Sequence, residues 1–455
     1  MRLRALPLLC LAALAPLLAQ ESWDRPGAGN PILPGYFADP SLVQHEGRFY
    51  LYATLDPWGG RTLGCWESSD FSNWTYRDLN WPTKEACTSP TSKGAMVWAP
   101  SVIRAPDGQF RMYISVGSEI WAGVAPHPLG PWRDANGGRP LVPATWNPAY
   151  HQIDAEAFVD DDGSLYLYWG SGWKWVNGRC FAVKLRADGV TFDGEPRDVT
   201  PANYFEGPFV FKHAGRYYLT YSQGKTVTDT YEVRYAVGDT PFGPFTEAPT
   251  SPVLVTDHAR RIISPGHHAL FQHAGRTYIL YHRHRIPYVA DTAYRQVCID
   301  EVHITPEGRI AAIQPTHQGP ATWPGARPRA LPVTVRASSA LSPLHDASRA
   351  IDNNFATRWA PAEHDPAPWL VLDLGTLRTV DRLELRPEMP AQPTRLTVEI
   401  STDGHAWERL ADHARAGLSG SPLVIPLARP CRQVRLTFPA AEPTQSRSLW
   451  ECSLY

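Results

Sequence analysis

Five β-hairpins of similar sequence repeat along the first two-thirds of this 455-residue chain. The copy at residues 153–170 reads IDAEAFVDDDGSLYLYWG, and its Asp162-Gly163 turn between two apolar runs is a strong hairpin signal. The turn glycines lie 61, 55, 52 and 60 residues apart, at Gly47, Gly108, Gly163, Gly215 and Gly275. A hairpin repeated at this period predicts a radial array of blades. We therefore expect an all-β, five-bladed β-propeller over residues 30–316.

The repeat places acidic side chains at corresponding points of different blades. Asp39 lies 8 residues before its turn glycine, Asp154 and Glu206 lie 9 before theirs, and His267 lies 8 before its own. If all inner strands begin near the propeller axis, these side chains meet at one point. Unpaired buried charge is costly in a core. Three converging carboxylates and an imidazole therefore indicate acid–base chemistry.

The composition excludes one class of partner and is compatible with another. The chain has 43 Lys and Arg against 45 Asp and Glu, without a basic stripe, so we expect no nucleic-acid partner. It also has 17 Trp and 19 Tyr. Most of these are expected to pack the blades, and a few to stack on the apolar face of a sugar ring. We expect no organic cofactor.

Residues 1–20 have the features of a cleaved secretory signal. Arg2 and Arg4 precede an apolar run from Ala5 to Leu18, and small residues follow it. The run is too short and wrongly flanked for a membrane-spanning helix. We therefore expect a secreted or periplasmic protein that does not contact a membrane.

Export permits disulfides among the six cysteines that follow the signal. Their order alone leaves fifteen pairings. Two pairs each lie within one predicted unit and are the favoured disulfides: Cys65 with Cys87, and Cys431 with Cys452. Cys180 and Cys298 are expected to be buried thiols.

A segment rich in proline and glycine separates the repeats from a different C-terminal part. Residues 317–332 read HQGPATWPGARPRALP, a composition typical of a linker. Shorter alternating strands follow: WLVLDLG, VDRLELRP, RLTVEIST and QVRLTF. Residues 333–455 are therefore predicted to form a compact β-sandwich.

The repeat region resembles glycoside hydrolase family 43. The resemblance covers nearly all of residues 30–316 and depends on one motif in each blade: ADPS from Ala38, WAPS from Trp98, ID…FVDDDG from Ile153, EGPF from Glu206 and PGHH from Pro265. Each motif is weak alone, but five in this order are specific. The resemblance implies a five-bladed propeller that hydrolyses glycosidic bonds with inversion.

The resemblance also implies a role for each acidic residue. Asp39 would be the general base, Glu206 the general acid, and Asp154 the residue that orients the acid and tunes its pKa. Inversion needs one carboxylate to activate water and a protonated one to protonate the leaving oxygen, about 6.5–9.5 Å apart. Asp154 beside Glu206 would raise the pKa of the acid by like-charge repulsion.

Neighbouring residues leave some roles open. Glu156 lies two residues beyond Asp154 on the same strand face and could take its role. The acidic run 160–162 leads into the hairpin turn and is expected to be solvated. Arg295 resembles the family arginine that holds sugar hydroxyls in the innermost subsite, with a surface salt bridge as the alternative. Trp98 is a candidate pocket wall, with core packing as the alternative.

His267 is the candidate metal ligand of the propeller. By the resemblance, a histidine at this place helps to hold a calcium ion at the centre of the channel, largely through water. A buried core histidine is the alternative. Zinc at His282 and His284 is not expected, because they form no zinc motif.

Residues 333–455 resemble a discoidin-type (coagulation factor 5/8 C-terminal) module. The resemblance depends on ASRAIDNNFATRWAP from Ala347 and on WLVLDLG from Trp369. It implies a carbohydrate-binding module with a structural calcium near Asp352, Thr357 and Glu451, since oxygen ligands suit calcium. A turn rich in Asp and Asn, without metal, is the alternative. The module could also be a packing partner for the propeller that binds no sugar.

The sequence thus predicts an exported, monomeric, exo-acting glycosidase that removes terminal sugars from the side chains of plant-type oligo- or polysaccharides. We expect α-L-arabinofuranosidase activity first, because it is common among similar enzymes. A β-xylosidase or galactofuranosidase of the same family is an alternative. A non-catalytic glycan-binding propeller is an alternative of another class, and the intact set of three acids argues against it.

Overall fold

The structure, a computed structural model, describes residues 22–320, 329–440 and 445–455. Five small antiparallel sheets are followed by one six-stranded sheet. Helical structure in the described ranges is limited to three short 3₁₀ turns, Trp173–Trp175, Pro343–His345 and Ala347–Ala350. The predicted fold class, an all-β propeller followed by a β-sandwich, is confirmed. The predicted signal at residues 1–20 and residues 321–328 of the predicted linker lie outside the described residues.

The first two blades are four-stranded meanders in which each strand pairs antiparallel with the next. Blade one consists of β1 (Phe37–His45), β2 (Arg48–Leu55), β3 (Gly64–Ser68) and β4 (Thr75–Tyr76). Blade two consists of β5 (Val97–Arg104), β6 (Phe110–Val116), β7 (Ile120–Ala125) and β8 (Arg133–Asp134).

The remaining three blades follow the same order. Blade three consists of β9 (Glu156–Val159), β10 (Leu165–Trp169), β11 (Phe181–Leu185) and β12 (Arg197–Asp198). Blade four consists of β13 (Glu206–His213), β14 (Arg216–Gln223), β15 (Glu232–Gly238) and β16 (Thr246–Glu247). Blade five has three strands, β17 (Gly266–His273), β18 (Arg276–His284) and β19 (Arg295–Val302).

The propeller closes where the beginning of the chain meets the fifth blade. The first strand of each blade contacts that of the next blade, and β17 contacts β1. The N–H of Ile32 donates to the carbonyl of Val297 at 2.9 Å. The side chain of Asn30 donates to the carbonyl of Ile299 at 2.8 Å and accepts from its N–H at 2.9 Å. The N-terminal segment thus adds backbone pairing at the outer edge of β19 and joins the first blade to the last.

Apolar side chains pack between adjacent blades. Between blades five and one, for example, Phe37, Leu51 and Trp66 share a buried cluster with Leu280 and Val297. The alternating aromatic residues of the hairpins supply these layers, as the sequence predicts. Because the blades are held by side chains between them, their inner ends surround a common axis.

The C-terminal domain is built around two long bent strands. Its strands are β20 (Thr334–Ala337), β21 (Trp369–Pro387), β22 (Thr397–Ser401), β23 (Glu408–Asp412), β24 (Leu423–Thr437) and β25 (Leu449–Leu454). Strand β21 pairs with β20 through its first residues and with β25 through its last, and its register with β24 shifts in between. Such irregularities bend a strand. The two halves of β21 and β24 can therefore enclose one apolar core, which includes Trp359, Leu372 and Val434.

All six cysteines after the predicted signal are free and buried. The predicted disulfides, Cys65 with Cys87 and Cys431 with Cys452, are therefore wrong. The expectation of buried thiols is correct for Cys180 and Cys298. In the described ranges, we find no helix with the length and apolar character needed to cross a bilayer.

Candidate active site

The beginning of each inner strand has a residue in the left-handed region of φ. These residues are Asp39 (53°), Ala99 (45°), Asp154 (58°), Gly207 (59°) and His267 (40°). In four of the blades, the register of the hairpin also shifts at this point, as in a β-bulge. A bulge changes the direction of the side chain that it carries. Asp39, Asp154 and His267 all line one cavity, and strained non-glycine residues of this kind are typical of functional sites.

Hydrogen bonds between blades hold the bulges in place. In blades one, two, three and five, the N–H of the left-handed residue donates to a side chain at the end of the preceding blade's second strand. The pairs are Ala99 with Thr54 Oγ1 (2.8 Å), Asp154 with Ser115 Oγ (3.0 Å), His267 with Ser222 Oγ (2.9 Å) and Asp39 with His282 Nδ1 (3.4 Å). Blade four is the exception. The residue of blade three that would accept its N–H is Gly170, which has no side chain. The N–H of Gly207 donates to the Asp154 carboxylate instead.

Glu206 does not occupy the same blade position as the two aspartates. The left-handed residue of blade four is Gly207, so Glu206 corresponds to the residues just before Asp39 and Asp154. Glu206 and Asp154 both lie nine residues before their turn glycines. This equal spacing does not mean an equal blade position, because the inner strands do not all have the same length. The predicted convergence still occurs, since Glu206 lines the same cavity as both aspartates. An alanine Cβ at Gly207 would lie 3.2 Å from the His267 ring, so the absence of a side chain there gives His267 its place.

Asp39 lies at the centre of a dense set of polar contacts. Its Oδ1 is 2.9 Å from Nη1 of Arg295, 3.2 Å from Nδ1 of His282 and 3.3 Å from Nδ1 of His267. Its Oδ2 accepts from Oγ1 of Thr54 at 2.7 Å. Burial acts to raise the pKa of Asp39, but the Arg295 guanidinium and the two histidines outweigh it and hold the pKa well below its ordinary value. Asp39 is therefore the ionised carboxylate of the site near neutral pH.

Arg295 is fixed from behind by a second carboxylate. Asp56 accepts from Nε of Arg295 at 2.9 Å, from its Nη2 at 2.8 Å and from its backbone N–H at 2.8 Å. This two-point grip leaves Nη1 directed at Asp39. The alternative of a surface salt bridge is wrong for Arg295, because its side chain is buried and lines the cavity.

Glu206 has a different environment from Asp39. Its Oε1 accepts from the Tyr231 hydroxyl at 2.8 Å and its Oε2 from the Ser171 hydroxyl at 2.9 Å. No cation lies within ion-pair distance of it among the described residues. Burial is the main cause that raises the pKa of Glu206 to about 7, with the charge of Asp39 adding and the two hydroxyls opposing. A carboxyl with this pKa is protonated in a large share of molecules near neutral pH.

Asp154 shares the cavity with both other acids. Burial, then repulsion from Glu206 and Asp39, raises its pKa above the ordinary value. Its Oδ2 lies 3.7 Å from Nδ1 of His267. Because Asp154 and Glu206 repel each other in a dry site, one of the two retains a proton.

The alternatives to Asp154 lie elsewhere. Glu156 does not line the cavity. Its side chain bonds to Ser101, and burial raises its pKa to about 8. Asp160 is not solvated as predicted, because it is buried between the Lys212 ammonium (2.8 Å) and the Tyr217 hydroxyl (2.5 Å). Asp160 therefore joins blades three and four.

The cavity is a pocket of about 250 Å³ with aromatic walls. Its aromatic lining consists of Trp58, Trp98, His151, Trp173, Trp175 and Phe205. Trp98 is part of the wall, as predicted, and its ring lies 5.9 Å from that of His151, which stacks on Trp173 at 4.2 Å. The buried Nε1–H of Trp98 has no hydrogen-bond partner within the part of the chain that the structure describes.

A second, more open hollow adjoins the pocket on the side of Glu206. Its volume is about 390 Å³, and it shares Trp175 and Phe205 with the first. The rings of these two residues are 5.9 Å apart and form the ridge between the cavities. The loop that carries Trp173 and Trp175 packs closely against the backbone of Phe205. A Cβ on Gly178 would lie 2.1 Å from the carbonyl oxygen of Phe205.

The sequence did not predict three partners of the acids, Asp56, Ser171 and Tyr231. Asp56 is 239 residues from Arg295, and Tyr231 is 25 residues from Glu206, so no local pattern connects them. One signal was available. Polar residues lie near the end of the second strand in several blades, as at Thr54, Ser115 and Ser222.

The predicted calcium at His267 has few ligands from the protein. The described residues contain no group of three or more His, Cys, Asp or Glu side chains arranged to hold a metal. His267 Nδ1 faces Asp39 and Asp154. A calcium ion there would depend on water and peptide oxygens, and the site stays a prediction.

The predicted calcium residues of the C-terminal domain lie around one loop. Thr357 donates to Asp352 Oδ2 at 2.7 Å, and the N–H of Asn353 donates to Glu451 Oε2 at 2.8 Å. The N–H of Asn354 also donates to Asp352 Oδ1 at 3.1 Å, which is the turn named as the alternative. Two carboxylates and a hydroxyl are hard oxygen donors, so the residues fit calcium. The presence of the ion stays a prediction.

Comparison with protein-family models gives two matches. The model described as "Glycosyl hydrolases family 43" matches residues 28–310. The model described as "F5/8 type C domain" matches residues 334–452.

Individual relatives carry several activities in their names. Beta-D-galactofuranosidase xynD of Aspergillus niger is 34% identical over 310 residues, which are 64% of this chain and 86% of that protein. Arabinoxylan arabinofuranohydrolase of Bacillus subtilis is 26% identical over 64% of this chain and 65% of its own length. Xylosidase/arabinosidase of Bacteroides ovatus is 25% identical over 62% of this chain and 97% of its own.

Solved structures match nearly the whole of this chain or about two-thirds of it. A structure titled "Glycoside hydrolase" superposes with a TM-score of 0.79 at 27% identity, and it covers 96% of this chain and 100% of its own. A thermostable family-43 glycoside hydrolase gives a TM-score of 0.55 at 26% identity over 66% of this chain and 99% of its own.

Proposed function

Because the chain belongs to glycosyl hydrolase family 43 and is a glycosidase, we propose that it removes terminal furanose residues from polysaccharide side chains with inversion. The observation that carries the proposal is one pocket that holds an ionised carboxylate, Asp39, and a carboxyl with a raised pKa, Glu206. Inversion requires these two protonation states at the same time.

Glu206 acts as the general acid. Near neutral pH, its raised pKa keeps a proton available for the oxygen of the leaving group. Tyr231 and Ser171 each hold one carboxyl oxygen and fix the orientation of the acid. They also stabilise the carboxylate that forms when the proton leaves.

Asp39 acts as the general base. Arg295, His267 and His282 keep it ionised and hold its Oδ1 in place. A water molecule between Asp39 and the anomeric carbon would give its proton to this carboxylate as it attacks. Asp154 shares the pocket with both groups, and repulsion between its carboxyl and Glu206 keeps one proton on the pair.

The shape of the pocket supports action on chain ends. A pocket of about 250 Å³ closed by aromatic walls encloses one sugar ring better than a continuous chain. Trp98 and Trp173 line the pocket and offer faces to the ring. The chain that is left behind would lie in the hollow beyond the Trp175–Phe205 ridge.

Two furanoses are the candidate terminal sugars. α-L-Arabinofuranose is the substrate expected from the sequence, and a relative named arabinoxylan arabinofuranohydrolase supports it. β-D-Galactofuranose has the same ring configuration with one more exocyclic carbon. The relative at 34% identity, named a galactofuranosidase, favours it as the second candidate.

A panel of nitrophenyl glycosides tests the proposal. We expect release from the α-L-arabinofuranoside or the β-D-galactofuranoside, and release from the β-D-xyloside at least ten-fold more slowly. Asp39→Asn and Glu206→Gln should fold and lose activity, whereas Glu156→Gln should retain it. Preference for the xyloside would contradict the furanosidase proposal. Silence of the whole panel and of matching oligosaccharides would favour a glycan-binding propeller.

We also propose export of a monomer whose C-terminal module binds carbohydrate. Edman sequencing of protein from the periplasm or medium should begin within a few residues of position 21, and size-exclusion chromatography should give the mass of one chain. Affinity electrophoresis of the full-length Glu206→Gln variant in polysaccharide gels should show retardation. Equal retardation of a variant with altered loops at the tip of the module would contradict the binding role.

A further inference from the structure

The C-terminal domain packs on the propeller directly behind the strand that carries Arg295. A buried aromatic cluster crosses the boundary and consists of Tyr36, Phe355 and Trp450, with Tyr294 and Met389 beside it. The Tyr36 ring lies 4.9 Å from Tyr294 and 5.3 Å from Trp450, both edge-on. A buried apolar contact between domains restricts their relative motion.

A buried hydrogen bond joins the same strand to the same loop. Nε2 of Gln296 donates to the carbonyl of Phe355 at 2.9 Å, and Gln296 has no exposed surface. Tyr294 and Gln296 flank Arg295 in sequence. Because successive side chains of a strand point to opposite faces, the face opposite the Arg295 guanidinium is the face that the C-terminal domain holds.

The carboxylate that grips Arg295 is connected to the cluster as well. The N–H of Asp56 donates to the carbonyl of Tyr36 at 3.1 Å. The Tyr36 hydroxyl accepts from Nε of Arg358 at 3.3 Å, and Arg358 pairs with Glu388 at 3.1 Å. Arg295 and Asp56 are thus each connected through the backbone to residues whose side chains touch the C-terminal domain.

Further contacts across the boundary do not involve the strand of Arg295. Asn354 donates from Nδ2 to the carbonyls of Trp23 (2.9 Å) and Arg25 (3.1 Å). Arg349 pairs with Asp24 at 2.9 Å. These contacts attach the module to the N-terminal segment and offer a control, because they hold the domains together without touching the strand of Arg295.

We propose that the C-terminal domain is a positioning part of the catalytic pocket: Phe355 and Trp450 hold Tyr36, Tyr294 and Gln296, and these hold Arg295 and Asp56 in register with Asp39. The proposal rests on the proposed function in one respect, because one of its two tests measures catalysis. Displacement of a substrate-orienting group by about 1 Å can cost on the order of 100-fold in rate. A small loosening behind Arg295 is therefore measurable.

Three variants of the full-length chain test the proposal. Trp450→Ala removes a ring of the cluster, and Gln296→Leu removes the hydrogen bond with little change in size. Arg349→Ala is the matched control at the N-terminal segment. Kinetics on the preferred nitrophenyl glycoside are measured well below each melting temperature, so that all variants are folded.

We expect Gln296→Leu and Trp450→Ala to raise KM and lower kcat/KM at least ten-fold, and to weaken inhibition by the product sugar. Arg349→Ala should lower the melting temperature and keep kcat/KM within two-fold. A mere loss of folded protein would lower the apparent kcat and leave KM and product inhibition unchanged. Parent-like KM and kcat/KM in both cluster variants would overturn the proposal. If Trp450→Ala does not fold, Gln296→Leu decides alone.

Hydrogen–deuterium exchange provides a readout that needs no substrate. Exchange in residues 291–302 should accelerate in Gln296→Leu and stay at the parent rate in Arg349→Ala. An inactive parent with this exchange pattern would refute the proposed function and support the positioning role. Equal exchange in the two variants would refute the positioning role whatever the activity.

Discussion

At the scale of single residues, two carboxyl groups in one pocket are held in opposite protonation states by different partners. Asp39 is surrounded by Arg295 and two histidines, which stabilise its charge. Glu206 receives only two hydroxyl hydrogen bonds, which are too weak to offset its burial. The difference in pKa therefore comes mainly from where the cation lies, more than from the repulsion between acids that the sequence predicted.

The Tyr231 hydroxyl should set the alkaline limit of activity. It donates to Glu206 and so lowers the pKa that burial has raised to about 7. Tyr231→Phe removes this donor, so the pKa of Glu206 should rise and the alkaline limb of kcat/KM should move to higher pH. Tyr204→Phe is the control, because its hydroxyl bonds to the carbonyl of Gly170. Movement of the limb to lower pH in Tyr231→Phe would assign the acid role to another group.

Glu206 should also lower the free energy of unfolding above neutral pH. Its folded pKa is above its unfolded value, so the folded state binds more protons between about pH 4.5 and 7 and loses stability as pH rises through that window. Glu206→Gln should abolish activity and raise the free energy of unfolding at pH 8 by roughly 1–3 kcal/mol relative to the parent. At pH 4 the two proteins should be nearly equal. Chemical denaturation at both pH values measures this, and a variant less stable than the parent at pH 8 would contradict it.

At the scale of strands, the bulges depend on side chains from the neighbouring blade. Ser115 accepts the N–H of the left-handed residue Asp154 at 3.0 Å and is itself buried. Ser115→Ala should leave this N–H without its acceptor and cost about 1–3 kcal/mol of stability. It should also lower kcat, because Asp154 loses its fixed direction. Ser164→Ala, in an exposed hairpin turn, is the matched control and should cost less than 0.5 kcal/mol by urea denaturation.

The loop from Asp352 to Thr357 should bind calcium. Binding to the folded state alone stabilises a protein by about 2.7 kcal/mol when the free ion is at 100 times its Kd. We therefore expect millimolar calcium to raise the melting temperature of EDTA-treated protein, and Asp352→Asn to abolish the shift. Asp403→Asn removes the charge of a comparable exposed turn in the same domain and should leave the shift intact. Equal melting with calcium and with EDTA would favour the turn without metal.

The elements were predictable from the sequence where a periodic pattern generates them. Alternating hairpins with a glycine turn predict the blades, and the alternating strands after residue 333 predict the sandwich. The displacement of Glu206 by one position was not predictable, because the spacing to the turn glycine does not show which strands carry a bulge. The partners Asp56 and Tyr231 were missed because they meet the site only through the closed ring of blades. The disulfide prediction is wrong because cysteines in the same predicted unit need not lie close together in the fold.

At the scale of the whole molecule, the sequence suggested two domains joined by a linker, and the structure adds a shared core between them. Phe355 and Trp450 have the sequence appearance of ordinary core residues of the C-terminal domain. Their cluster instead includes Tyr36 and Tyr294 of the propeller. No pattern within one domain reveals such a contact. In each domain, the residues of the cluster fit the ordinary pattern of buried side chains around them.

The shared cluster predicts how the whole chain unfolds. Separating the domains would expose the aromatic cluster and leave Gln296 and the Phe355 carbonyl without each other, so neither domain should melt while the other stays docked and folded. Differential scanning calorimetry of the parent should therefore give one transition. Trp450→Ala should resolve it into two, because the coupling between the domains is weakened more than either core. Two well-separated transitions in the parent would mean that the domains are energetically independent, and the C-terminal domain would then be an appended module that contributes nothing to the order of the pocket.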